Sequence, residues 1–182
     1  GILNSSENPD VASQNFEKLS VEKDNILKAL ADSIEILESK KARFFASDSE
    51  NNQETEDTQK LSEMEESITL QIESLKFLKE SNLGAIEDRT KNVQNLTQYS
   101  GFSQRDLLYS MNLSLQTALT ISMEGTAKAL EITETLQTFF EESFAGFPSF
   151  PLMLLDINSV FQEIDDIQGD LSSSFGKYMQ KD

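Results

Sequence analysis

Apolar residues recur at three-, four- and seven-residue steps along almost the whole chain, the period of a helix with one buried face. Over residues 11–46 the stripe runs Phe16, Leu19, Ile26, Leu30, Ile34, Leu37 and Phe44, with no Gly or Pro to interrupt it. A second stripe, over 58–99, uses Leu61, Met64, Ile68, Ile72, Leu75, Leu78, Leu83, Ile86, Val93 and Leu96. Gly84 falls within it and costs ~1 kcal/mol relative to Ala, too little to end so long a helix. The third covers 104–144 through Leu108, Met111, Leu115, Leu119, Ser122, Thr126, Leu130, Leu136, Phe140 and Phe144. The fourth, over 151–180, alternates threes and fours without a slip: Leu154, Ile157, Phe161, Ile164, Gln168, Leu171, Phe175, Tyr178.

The breaks between these stripes are short. Residues 47–57 hold Asp48, Glu50, Glu54, Glu56 and Asp57 with no apolar side chain, and predict a flexible acidic connection. Gly101 suits the position after a helix, and Ser103 with Asp106 suits the start of the next. Ala145 to Phe150 separates the third helix from the fourth, and Pro151 is tolerated in a first helical turn. Helices of about 36–42 residues span ~55–60 Å. Short connections make neighbours antiparallel, so the chain predicts an all-α fold: an elongated up-down-up-down four-helix bundle, one domain over 1–182.

Composition then narrows the chemistry. The 182 residues contain no Cys, His or Trp. Thiolate and imidazole zinc sites, His- or Cys-ligated haem, Fe–S clusters, cysteine nucleophiles and His-based triads lack their groups. A net charge of −17 repels phosphate backbones, so no nucleic-acid partner is expected. No run of 18 apolar residues occurs. A Cys-free chain suits both cytosol and periplasm; helical ends that meet at one side fit an extracytoplasmic or secreted fragment, which is the localisation this reading favours.

Local motifs add little. Ser174-Phe175-Gly176-Lys177 matches S-x-x-K without its companion patterns. The di-iron bundle motif Glu-x-x-His has no His to complete it. Asp156-Ile157-Asn158 and Asp165-Asp166 lack the Gly and terminal Glu of a calcium loop. Asn4, Asn95 and Asn112 open N-x-S/T triplets of the kind expected by chance. Catalytic, metal and cofactor residues are therefore expected to be none, and the chain is read as a non-enzyme.

Two regions remain as candidates for interaction. Phe144 to Leu155 is uncharged throughout and contains Phe147, Phe150 and Met153. It is expected to cap one end of the bundle; its alternative is an exposed apolar tip. Between Lys128 and Lys177 there is no base, and Glu163, Asp165 and Asp166 belong to a run of acids that either aids solubility or docks a basic partner. The function expected is a helical binding or structural module that recognises a protein partner or a small apolar ligand, with a homodimer among its forms. Its alternatives are the ligand-binding sensor part of a membrane-anchored receptor, and a membrane-active bundle that inserts residues 144–155.

Overall fold

A computed structural model describes residues 9–46, 56–99, 104–147 and 150–179 of the protein. Four helices form: α1 (Pro9–Ala46), α2 (Glu56–Tyr99), α3 (Gln104–Ser143) and α4 (Phe150–Met179). Three boundaries lie slightly outside the periodic stripes, for local reasons. Pro9 opens α1, where its missing N–H would be unpaired anyway. Glu56 opens α2, and acidic residue types are favoured in a first helical turn. The expected acidic connection is therefore shorter than 47–57, and its remainder, 47–55, lies outside the described residues. Phe150 rather than Pro151 begins α4.

Named contacts fix the directions. The Ser122 hydroxyl donates to the Ile26 carbonyl at 3.0 Å, and the Phe45 and Phe140 rings lie 5.9 Å apart further along the same two helices. α1 and α3 thus run parallel. Lys41 donates to Thr69 at 2.9 Å and Lys76 pairs with Glu38, so α1 and α2 are antiparallel. Gln116 donates to the Tyr178 carbonyl at 3.3 Å and Gln137 to Asn158 at 2.7 Å, so α3 and α4 are antiparallel as well. The chain is a four-helix bundle in up-down-up-down order.

Its cross-section is a rhombus rather than a square. α1 and α3 each pack against the other three helices, whereas α2 and α4 do not meet among the described residues. Small side chains draw the central pair together. Ala118, Ser122, Gly125, Thr126, Ala129 and Thr133 on α3 are all buried. A Cβ on Gly125 would overlap the Leu30 Cδ1 methyl and sit 3.1 Å from Cδ2. Buried hydroxyls on these helices mostly satisfy themselves: Ser33 donates to the Ala29 carbonyl at 2.9 Å, Thr126 to Met123 at 3.2 Å and Thr133 to Leu130 at 2.7 Å. Among the described residues, only Ser114 Oγ is buried without a partner. Being flanked by α1, α2 and α4 also explains why α3 carries so few charges over 107–123: little of that stretch is left for water.

The outer seams are more polar. Lys76 of α2 is hydrogen-bonded first to Glu38 of α1 and then to Glu73, which raises its pKa above the ordinary lysine value. A raised lysine pKa stabilises the folded state at all pH values below the unfolded pKa of about 10.4, and that contribution is lost as pH climbs through the folded value. Arg43 of α1 meets Asp156 of α4 at 3.5 Å.

The fourth stripe needs a correction of register. Ile157, Ile164, Leu171 and Tyr178 are buried as expected, but Leu154, Phe161, Gln168 and Phe175 are only half-buried. Met153 and Val160 take the buried intervening positions, and Ile167 packs against the core beside them. Helix rotation by one residue resolves the apparent core glutamine, since Ile167 replaces Gln168. In α1, Phe45 is buried at 7% exposure. The side chains of Phe16 and Phe44 in α1, and of Val93 and Leu96 in α2, lie outside the described residues.

Candidate functional site

The end of the bundle formed by 144–155 divides into an inner and an outer part. Phe144 and Met153 are buried, and Phe147 and Phe150 pack half-buried against the core. An aromatic chain joins them to α3: Phe139 to Phe140 at 5.3 Å, Phe140 to Phe144 at 5.6 Å, and Phe144 to Phe147 at 4.9 Å between ring centroids. The chain turns tightly, with the Phe147 N–H donating to the Phe144 carbonyl at 3.0 Å and Phe150 to Phe147 at 3.1 Å. Three of the candidate interaction residues, Phe147, Phe150 and Met153, therefore contribute to the core. The outward side chains are Leu152 and Leu155, at 69% and 64% exposure, which sequence periodicity did not single out. Phe147→Ser should lower stability by about 2 kcal/mol, less than a fully buried Phe, whereas Leu152→Ser should stay within about 0.5 kcal/mol. Urea unfolding of the two variants measures the contrast; equal losses would contradict the division.

The acidic run does not form one face. Asp156, Glu163 and Asp170 repeat every seven residues along the edge of α4 nearest α1, and Asp156 is taken by Arg43. Asp170 lines the α1–α4 groove, a space of about 350 Å³ floored by Ile26, Ile167 and Leu171. Asp165 lies about 160° around the helix from Glu163, whereas Asp166 lies only about 60° away. All of Glu163, Asp165 and Asp166 are exposed, and the structure brings no two of them together in a common cleft. On α3, Glu131, Glu134 and Glu142 edge a separate open groove of about 540 Å³ floored by Met64 and Phe139. Among the described residues, no group of three or more acids converges as a metal site would require.

Ser174 and Lys177 are not joined by a hydrogen bond. The Lys177 ammonium stands 5.0 Å over the Tyr178 ring, and interaction with that residue raises its pKa. A lysine serving as a base needs the opposite shift. No described helix is long and apolar enough to cross a membrane.

A surface that periodicity did not reveal lies on the outer side of α2. Ser67, Leu70, Ser74, Phe77, Ser81 and Gly84 follow one another at alternating steps of three and four, and all are exposed. Leu70 and Phe77 are 64% and 72% exposed. This is a second heptad seam, set on the opposite side from the buried stripe of the same helix. Glu66, Glu73, Glu80 and Glu87 accompany it at seven-residue intervals along one flank, also exposed. The other flank carries Gln71, Leu78 and Ala85 and is uncharged. The signal was present in the sequence as two interleaved stripes on one helix; only the more apolar of them reads as core. Compared with protein-family models, with curated proteins and with solved structures, the chain matches none of them.

Proposed function

We propose that this protein is a non-enzymatic helical module that binds a protein partner through an exposed helix face. The observation that carries the reading is the outer seam of α2. Two large apolar side chains, one turn either side of Ser74, stand in water on a helix whose opposite face already completes the core. Exposed apolar side chains are common singly, but an uncharged array that persists for five helical turns on a chain of net charge −17 is a feature of association surfaces. The pattern is that of one strand of a coiled coil, with apolar and small residues at the seam and charge at its border.

A photoreactive amino acid placed at Phe77 or at Leu70, in cells of the source organism, tests this directly. Both positions should crosslink to the same protein, and Glu131 and Glu142 on α3 should not. Crosslinks absent at 70 and 77, or spread equally over all four positions, would remove the reading.

A further inference from the structure

The border of that seam says what kind of partner fits, an inference that rests on the reading of α2 as a binding face. In heptad terms Ser67, Ser74 and Ser81 occupy one seam position, and Leu70, Phe77 and Gly84 the other. Glu66, Glu73, Glu80 and Glu87 then fall on the single flanking position that faces the partner helix. Glu73 holds Lys76 of the same helix at 3.2 Å. We infer that the occupant is an amphipathic helix of another protein, with large apolar residues opposite the serines and Lys or Arg along one flank opposite the glutamates.

Charge weighs against each alternative. A second copy packed antiparallel would set Leu70 over Ser81 and Phe77 over Ser74, a good match in volume. The same pairing brings Glu73 against Glu80, and Glu66 against Glu87, so like charges meet on every second turn at neutral pH. A parallel second copy places the glutamates against the uncharged flank and gains no ion pair. Anionic lipid is repelled by the same four carboxylates. A basic flank on a different helix satisfies both the seam and its border. The seam from 67 to 84 is about 26 Å long, enough for a partner helix of roughly five turns.

Three synthetic helical peptides test the inference with the intact protein at physiological salt. One arranges Leu on a heptad seam with Lys on one flank. The second holds the same residues shuffled so that no seam forms, and the third replaces each Lys with Glu. The Lys-flanked peptide should bind at least about tenfold more tightly than either of the others. Glu73→Gln with Glu80→Gln should lose about tenfold in affinity, while Glu131→Gln with Glu134→Gln should lose none. Leu70→Ser with Phe77→Ser should abolish the preference for the seamed peptide at an unchanged melting temperature.

Equal binding of the Lys- and Glu-flanked peptides, with the double Ser variant still inactive, overturns the basic partner and leaves the face intact. Equal binding of the seamed and shuffled peptides reduces the interaction to bulk charge and overturns both. A fall in melting temperature in the double Ser variant overturns both, because it makes the seam part of the fold. Self-association at neutral pH that the double Ser variant removes assigns the face to a second copy and overturns the inference, as does seam-dependent binding to anionic vesicles.

Discussion

Replacing Ile164 with Asp is expected to cost the bundle about 4 kcal/mol or more, a large part of the stability of a domain of this size. Ile164 is fully buried near the middle of α4. The carboxylate would lose water without gaining a partner: the adjacent exposed residues, Glu163 and Asp165, are themselves acids. Burial raises the pKa of such a group, so part of the loss should be recovered as pH falls toward 5, by taking up a proton rather than by pairing. Circular dichroism during urea unfolding measures both effects. Glu163→Gln provides the contrast, with an expected change within about 0.5 kcal/mol. An unaltered midpoint for Ile164→Asp would mean that α4 does not pack on this face.

Gly125→Leu is expected to be comparably damaging, for the opposite reason. Here the fold lacks space rather than polarity. Even one methyl at this position overlaps the end of Leu30, which is wholly buried. The gain in helix propensity, ~1 kcal/mol, opposes an overpacking cost of about 3 kcal/mol or more for a whole side chain. Shortening Leu30 to Ala should cost about 2–5 kcal/mol alone, by leaving a cavity. In combination the two changes should be less harmful than their sum, by on the order of 1–3 kcal/mol, because the new side chain occupies the vacated volume. Strict additivity would show that the two positions do not share that space.

These two residues also mark what was legible in the sequence. Helical periodicity depends on the size and polarity of side chains alone, and it located all four helices to within two residues at each described end. It also placed Ile164 in the core. Periodicity cannot say which pair of helices approaches most closely, because that depends on what is missing from both surfaces. Gly125, Ala118 and Ala129 did not enter the apolar stripe, yet all three are buried on the helix that packs most closely against α1. The register of α4 was ambiguous by one residue because Leu154 and Met153, and Phe161 and Val160, are apolar neighbours. Only the three-dimensional placement of α1 and α3 selects between them.

Lys23 illustrates a different limit. It lies in the buried stripe of α1 between Leu19 and Ile26 at 6% exposure, with its ammonium reaching Asp24 at 3.7 Å. A long aliphatic stem can lie in a core while its charge emerges at the edge, so a basic residue at a stripe position carries no fixed meaning. The candidate acids show a related limit. Nearness in sequence gathers Glu163, Asp165 and Asp166 into one run, but a turn of 100° per residue leaves Glu163 and Asp166 on one side of the helix and sets Asp165 well apart from Glu163. The seam on α2 was hidden by the reverse effect, since its members are separated in sequence and aligned in space.

The parallel pairing of α1 with α3 has a kinetic consequence. Ser122 and Ile26 are 96 residues apart in sequence, and the most intimate packing in the molecule joins helices that are not neighbours along the chain. The α1–α2 hairpin, tied along the described part of its seam by Lys41 to Thr69 and Lys76 to Glu38, buries much less by itself. Its completion waits on a loop closure that spans the whole of α2. Folding is therefore slower than for a bundle whose closest contacts are between successive helices. On the ribosome, Leu30 of α1 waits for its Gly125 partner until α3 has been synthesised, an interval in which exposed apolar surface invites association with other nascent chains or with a chaperone.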